Sequence, residues 1–230
     1  IVRTYMDTRA EVNRLPETFV LDLVVIDEAH DLSEEQWLAL YDIYNIEKSK
    51  KLLFIFDSNQ ALTRNSSFCP LDNLIPLTLT SVIRNTKQIG DYSLRYYRGS
   101  KQCTVVGPNG RDIEITEYND NSELKDLLAK IVHHYVFDEG FNYSDIVILF
   151  GTDYKGHTLR DEVKMQNNQS INKYGIKFVD GKHYDYAGRD LAIVLMETIH
   201  AFRGLESNVI IMAGIDNLDE QTKRKTLYIG

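Results

Sequence analysis

Two absences limit the class of protein before any motif is considered. The 230 residues contain only two cysteines, Cys69 and Cys103, which are isolated and lack metal-ligand spacing. So few cysteines in a chain of this size are typical of a reducing compartment and exclude a disulfide scaffold. No apolar run reaches membrane-spanning length, and the N-terminus has no basic-then-apolar pattern. We therefore expect a soluble, cytoplasmic protein that has no membrane partner.

An excess of positive charge is also lacking. The formal net charge is -8, and the sequence pI is about 5.3. Residues 1–80 hold 7 Lys and Arg against 13 Asp and Glu, whereas residues 81–230 hold 19 against 21. These values argue against a protein coated in basic surface for nucleic acid. They leave open a local basic groove, because net charge does not report the local distribution.

The sequence also has no phosphate-binding loop of the form G-x-x-x-x-G-K-[ST]. The nearest match is GTDYKGHT (residues 151–158), which lies between a predicted strand and a predicted helix. His157 stands where the loop needs lysine. We interpret GTDYKGHT as a turn, with phosphate binding at the helix N-terminus as the lesser alternative.

Strand and helix patterns alternate along the chain, which predicts an α/β fold with mainly parallel sheets. Ser33 followed by Gln36 forms a capping-box pattern that predicts a helix to about Tyr44. The other predicted helices cover residues 85–97, 122–137 and 158–167. The predicted extended segments are 21–26, 52–56, 77–80, 113–118, 145–150, 176–179, 192–198 and 208–214. The segment 66–76 is the predicted boundary between two lobes.

Two adjacent carboxylates, Asp27 and Glu28, end the apolar run of LVVIDEAHD. In α/β sheets the ligand crevice lies at the carboxyl ends of the strands. One carboxylate there can hold Mg²⁺, and its neighbour can take a proton from an attacking water. The alternative is that both are ordinary polar residues closing a strand.

Three further blocks place polar residues after predicted extended segments. FDSNQ contains Asp57 and Gln60, LTLTSVIRN contains Arg84, and TIHAFRGLE ends in Gly204 and Glu206. An amide can orient a water or sense a γ-phosphate, and an arginine can stabilise charge on a transferred phosphoryl group. Each residue alone also fits a structural role: a loop amide, a solvated charge, or a glycine in a turn that needs positive φ.

In this order the four blocks resemble motifs II to V of the UvrD/Rep-type superfamily 1 DNA helicases. The resemblance implies a RecA-like P-loop NTPase architecture. Residues 1–80 would be the C-terminal part of a first RecA-like domain and residues 81–230 most of a second. The segment 151–197 is too short for the large helical insertion that precedes motif V in the family.

The resemblance also implies the residues that would perform ATP hydrolysis. Asp27 would hold Mg²⁺, and Glu28 would be the catalytic base. Gln60 would couple the γ-phosphate to the DNA side, and Arg84 would contact the γ-phosphate.

Binding residues follow from the same resemblance. The residues implied to bind the nucleotide are Asp57, Arg203, Gly204 and Glu206. Thr198 and His200 would face single-stranded DNA.

The chain departs from the family pattern at four positions. His30 stands where the family usually has glutamine, and Arg203 where it usually has lysine. Thr63 and Asn65 replace the tyrosine and tryptophan that stack on bases in the family, a contact that contributes about 1–3 kcal/mol per base. Movement along a strand therefore has less support than nucleotide hydrolysis.

The final residues, KRKTLYIG, resemble the start of motif VI. Together with the missing phosphate loop, this predicts an inactive fragment of a longer ATP-dependent helicase or translocase. The alternative is a helicase-derived interaction module that is no longer a motor and docks on a nuclease or repair partner.

Overall fold

The computed structural model describes residues 22–43, 51–57, 59, 75–151, 154–169, 172–181, 192–215 and 218–229. The chain divides into two compact units. The first unit is made of two segments, Ile1–Thr80 and Arg98–Gln102. The second unit is made of Ser81–Tyr97 and Cys103–Gly230. Each unit has parallel strands of its own.

In the first unit, strand β1 (Val24–Ile26) pairs in parallel with strand β2 (Leu52–Phe54). A 3-10 turn (Ala29–Asp31) and helix α1 (Glu34–Ile43) follow β1. Both strands were predicted, and both are shorter than the apolar runs that predicted them.

Helix α1 begins with the predicted capping box. The N–H of Ser33 donates to Oε1 of Gln36 at 2.8 Å, and the N–H of Gln36 donates to Oγ of Ser33 at 3.3 Å. Trp37 is buried, and its ring centroid lies 4.7 Å from that of Phe54 on β2. The capped end therefore fixes the start of a helix whose aromatic residue packs on the strand pair.

The second unit is larger. Its strands are β3 (Ser81–Val82), β4 (Thr104–Val105), β5 (Ile146–Phe150), β6 (Lys177–Val179), β7 (Ile193–Thr198) and β8 (Val209–Ala213). Its helices are α2 (Lys87–Leu94), α3 (Asn121–Phe137), α4 (Tyr154–Gln169), α5 (Ile199–Phe202) and α6 (Glu220–Ile229). A 3-10 turn (Tyr143–Asp145) precedes β5.

Four of these strands form a parallel sheet in the order β6-β7-β5-β8, and β3 pairs in parallel with β4. All five residues of β5 are buried. Ile146, Ile148 and Phe150 point into a core shared with α3 and α4, whereas Val147 and Leu149 join a cluster with residues of α5. A strand covered on both faces needs an uninterrupted apolar sequence, as IVILF is. The α/β fold with parallel sheets flanked by helices is confirmed.

Two predicted extended segments form no strand. Residues 77–80 and 113–118 lie in irregular backbone, and within them Leu79 and Ile115 are 84% and 78% exposed. Alternating apolar residues favour a strand only where a neighbouring strand supplies hydrogen bonds and burial. These segments pair with no strand in the part of the chain that the structure describes.

Two further sequence predictions concern the boundary between the lobes and membrane-spanning segments. The boundary predicted at 66–76 lies almost entirely outside the described residues. Among the helices of the described ranges, none is long and apolar enough to cross a membrane.

Candidate functional site

The paired carboxylates lie in a turn at the carboxyl end of β1. Asp27 is exposed, and its Oδ1 accepts a hydrogen bond from the N–H of Glu28 at 2.9 Å. Glu28 has φ 50° and ψ 37°, the left-handed conformation. Within the described ranges it is the single non-glycine residue with positive φ. This conformation costs an L-residue roughly 1–2 kcal/mol, so the surrounding contacts must hold it.

The left-handed residue has a geometric cause in the hydrogen bonds between the strands. The N–H of Ile55 donates to the carbonyl of Ile26 at 2.9 Å, and the carbonyl of Ile55 accepts from the N–H of Ala29 at 2.9 Å. In a regular parallel ladder the second donor would be residue 28, two residues beyond Ile26. Glu28 is thus an extra residue, and its positive φ accommodates the extra length as in a β-bulge.

His30 joins the ends of the two strands through both of its ring nitrogens. Its Nδ1 accepts a hydrogen bond from the N–H of Asp57 at 3.0 Å, and its Nε2 lies 3.1 Å from Oε2 of Glu28. The His30 side chain is 1% exposed, whereas that of Glu28 is 49% exposed. The imidazole therefore lies inside the turn and contacts a carboxylate that reaches solvent.

Asp57 and Asn59 form a second local structure after β2. Oδ1 of Asp57 accepts from the N–H of Asn59 at 2.9 Å and lies 3.4 Å from its Nδ2. Asn59 is buried, and its Oδ1 accepts from the N–H of Arg98 at 2.9 Å. The carboxylate predicted to bind nucleotide is therefore also the acceptor that shapes its own loop.

Three residues that the helicase resemblance singled out lie shortly after Asn59 in the sequence. Gln60, Thr63 and Asn65 lie outside the described residues. The roles that the sequence assigns to them stay predictions.

In the second unit, Arg84 is exposed in a bend two residues after β3. The sequence placed it just past a short extended segment at 77–80, and the strand that precedes it in the structure is β3. Its side chain is available to solvent, as a phosphate contact requires.

The predicted DNA residues differ in exposure. Thr198 ends β7 and is buried, and its Oγ1 accepts from the N–H of Ala201 at 3.3 Å as the N-cap of α5. His200 is exposed on α5. The geometry gives Thr198 a structural function and leaves His200 accessible.

The residues predicted to bind nucleotide after α5 lie within four consecutive positions, and the first two of them form a turn. Arg203 is half-buried, and Gly204 and Glu206 are exposed. Gly204 has φ +77°, and the N–H of Leu205 donates to the carbonyl of Phe202 at 3.0 Å. Glycine at 204 is therefore explained by the turn that ends α5, the structural role identified as an alternative from the sequence.

Sequence reasoning missed Glu197, which precedes Thr198 on β7. Its two carboxylate oxygens accept hydrogen bonds from Nη1 of Arg160 at 3.3 Å, the N–H of Gly181 at 2.7 Å and the N–H of Thr198 at 3.3 Å. These contacts link α4 and the residues after β6 to the carboxyl end of β7. A carboxylate inside the apolar run AIVLMET was the available signal.

The residues at the end of β1 fit a magnesium ion that is held by one protein carboxylate. Within the described ranges, no group of three or more His, Cys, Asp or Glu side chains could hold a metal ion. Mg²⁺ is commonly bound by one or two carboxylates, with waters and substrate phosphates completing its shell. The exposed carboxylate of Asp27 suits that mode, and a metal cage made of protein ligands alone is not what these residues form.

Neither a protein-family model nor a curated protein sequence matches the chain.

Proposed function

We propose that the chain is part of an ATP-dependent DNA helicase or translocase of the UvrD/Rep type, with RecA-like P-loop NTPase architecture. One observation carries this proposal. At the carboxyl edge of β1 and β2, two carboxylates follow the strand directly, and Glu28 contacts His30 from a left-handed backbone conformation. Ligands of parallel α/β sheets bind at this edge, and strained residues concentrate at functional sites.

In the proposed reaction, Glu28 is the base that takes a proton from the attacking water. The Asp27 carboxylate would hold Mg²⁺, which would supply positive charge against the nucleotide phosphates. Gln60 orients the water or senses the γ-phosphate. Asp57 assists nucleotide binding while its Oδ1 keeps the loop in shape.

The second unit supplies cations and polar groups in this proposal. Arg84 and Arg203 stabilise phosphate charge, because a guanidinium presents several N–H donors to phosphate oxygens. Gly204 and Glu206 contact the nucleotide, and the exposed His200 contacts single-stranded DNA. Thr198 supports this turn as the cap of α5.

The decisive experiment is ATP turnover by the complete gene product, with and without single-stranded DNA, for the wild type and Glu28→Gln. Loss of a general base lowers turnover by about 10²–10⁴-fold. Glu35→Gln is the matched control, because Glu35 is an exposed residue of the first turn of α1. Equal turnover by wild type and Glu28→Gln would remove the base assignment, and no turnover by the wild type would remove the proposed activity.

The 230 residues contain no Walker-type phosphate loop, so in this proposal that loop is supplied from outside them. The purified 230-residue chain is accordingly expected to lack magnesium-dependent ATP turnover. Measurable turnover by this chain alone, abolished in Glu28→Gln, would contradict that part of the proposal.

One observation favours the alternative, a helicase-derived module that docks on a nuclease or repair partner. The hydroxyl of Thr198 is buried and accepts the capping hydrogen bond of α5, so it is not accessible to a DNA strand. DNA-stimulated ATP turnover by the complete protein would exclude this alternative. Absence of turnover, combined with co-purification of a nuclease, would favour it.

A further inference from the structure

We propose that His30 is a positioning residue that orients the Glu28 carboxylate and couples that orientation to the backbone of Asp57. This inference rests on the proposed function, since it treats Glu28 as the base. It goes beyond that function by assigning a role to a buried histidine that the sequence marked only as a departure from the family.

The position of the ring proton follows from the hydrogen bonds. A backbone N–H can only donate, so Nδ1 of His30, 3.0 Å from the nitrogen of Asp57, must carry a lone pair. In the neutral ring the proton then lies on Nε2. Nε2 is 3.1 Å from Oε2 of Glu28, so its N–H donates to the carboxylate. The backbone of Asp57 therefore selects the tautomer that binds Glu28.

The ring continues the hydrogen-bond ladder beyond the ends of the strands. Ile55 pairs through its backbone with Ile26 and Ala29, and two residues later the N–H of Asp57 pairs with the imidazole of His30. The side chain thus accepts the bond that a backbone carbonyl would accept in a longer strand. This connection ties the extra residue Glu28 to the carboxyl end of the neighbouring strand.

Coupling arises because the two hydrogen bonds depend on each other. If the backbone of Asp57 moves away, Nδ1 loses its donor and the proton is free to occupy Nδ1. Nε2 would then present a lone pair to the Glu28 carboxylate, which is repulsive. Since Asp57 lies three residues before Gln60 in the sequence, a displacement of the Asp57 backbone would reach Glu28 through a single ring.

The competing explanation is a histidine that only stabilises the turn. Both explanations predict that removing the ring lowers stability, so stability alone does not separate them. They differ in which half of the ring matters for turnover. Amide side chains separate the halves, because the asparagine Oδ1 resembles the position of Nδ1 and the glutamine Nε2 resembles the position of Nε2.

The test compares His30→Asn and His30→Gln in the complete gene product, measuring kcat and KM for ATP with single-stranded DNA. His30→Asn keeps an acceptor for Asp57 and loses the donor to Glu28, so we expect kcat to fall about 10–100-fold with little change in KM. His30→Gln keeps the donor and should retain most of kcat. Thermal unfolding of both variants identifies any part of the loss that comes from instability.

A second measurement does not require activity. In protein labelled with ¹⁵N-histidine, the ring resonances of His30, identified as those missing in His30→Gln, should report a protonated Nε2 and an unprotonated Nδ1. A protonated Nδ1 would overturn the inference whatever the turnover. Wild-type kcat in both variants would overturn it and leave the proposed function intact. If the complete protein does not hydrolyse ATP, the proposed function fails, and the positioning role fails with it.

Discussion

The side chain of Asn59 accepts a hydrogen bond from the backbone N–H of Arg98, which lies 39 residues later in the chain, at 2.9 Å. Asn59 is buried, and its backbone N–H donates to Oδ1 of Asp57 at 2.9 Å. The segment Arg98–Gln102 belongs to the first unit although the residues just before and after it belong to the second. The side-chain amide of Asn59 is therefore one of the groups that connect Arg98–Gln102 to the rest of the first unit.

Replacing Asn59 with alanine leaves the N–H of Arg98 without its side-chain acceptor. This hydrogen bond is only partly buried, because Arg98 is exposed, and a typical intramolecular hydrogen bond contributes about 0.5–1.5 kcal/mol. We expect the free energy of unfolding, measured by urea denaturation, to fall by that amount. Asn109→Ala is the control, because Asn109 is exposed. An unchanged stability in Asn59→Ala would indicate that water replaces the amide.

A buried amide pair stabilises the turn before β6. Nδ2 of Asn172 donates to Oδ1 of Asn167 at 2.8 Å and to the carbonyl of Ile176 at 2.7 Å. Oδ1 of Asn172 accepts from the N–H groups of Tyr174 at 3.1 Å and Ile176 at 3.3 Å. One side chain thus satisfies backbone groups that burial separates from water.

We expect Asn172→Asp to be more destabilising than its size suggests. The aspartate keeps the acceptor for Tyr174 and Ile176, but it loses both donors and brings a charge into a site that is 6% exposed. Asn172→Ala should cost about 1–3 kcal/mol. Urea denaturation at neutral pH should give the order wild type, Ala, Asp in decreasing stability. The reverse order of the two variants would contradict this account of the network.

Two glycines restrict substitution for different physical reasons. A Cβ on Gly156, in the first turns of α4, would lie 2.2 Å from the carbonyl oxygen of Gly151. Gly140 has open space around it and φ +77°. The first position excludes a side chain by contact, and the second by backbone conformation.

These two causes predict different patterns of tolerance. Alanine usually favours a helix over glycine by about 1 kcal/mol, but Gly156→Ala should destabilise the protein because backbone atoms must move. Gly140→Ala should cost about 1–2 kcal/mol, and Gly140→Asn less, because asparagine tolerates the left-handed region. Thermal unfolding of the three variants checks this. Stabilisation by Gly156→Ala would show that α4 begins differently.

The features predicted correctly from the sequence are those with local causes. The capping box of Ser33 and Gln36 depends on residues three positions apart, and the buried strand IVILF is visible as an uninterrupted apolar run. The strand predicted at 113–118 was wrong because its prediction depended on a pairing partner that a local pattern does not contain.

In the candidate site too, features with local causes were predicted and features that depend on distant residues were missed. The carboxylates at the end of β1 were visible, since their position after an apolar run is local. The left-handed conformation of Glu28 arises because its neighbours Ile26 and Ala29 both pair with Ile55. The ring of His30 is held by Asp57, 27 residues away. The contacts of Glu197 likewise come from α4 and from the residues after β6. A single sequence does not carry these long-range relations.

The pair formed by Arg111 and Glu139 provides a test by pH. Nη2 of Arg111 lies 2.5 Å from Oε2 of Glu139, and this hydrogen bond is the main reason that the pKa of Glu139 is lowered from 4.5. A carboxyl group whose pKa is lower in the folded state stabilises folding above its unfolded pKa. That contribution is lost as the pH falls below about 4.5 and through the folded pKa of Glu139.

Arg111→Gln should therefore lower the free energy of unfolding at pH 7 by a small amount, because exposed ion pairs contribute little and are screened by salt. The difference from wild type should shrink as the pH falls below the folded pKa of Glu139, and also when salt is raised at pH 7. Lys130→Gln is the control, since it removes a positive charge from an exposed site of α3. Urea denaturation from pH 7 to pH 3 measures both variants. A difference for Arg111→Gln that stays constant over this range would mean that the guanidinium acts through packing and not through the charge of Glu139.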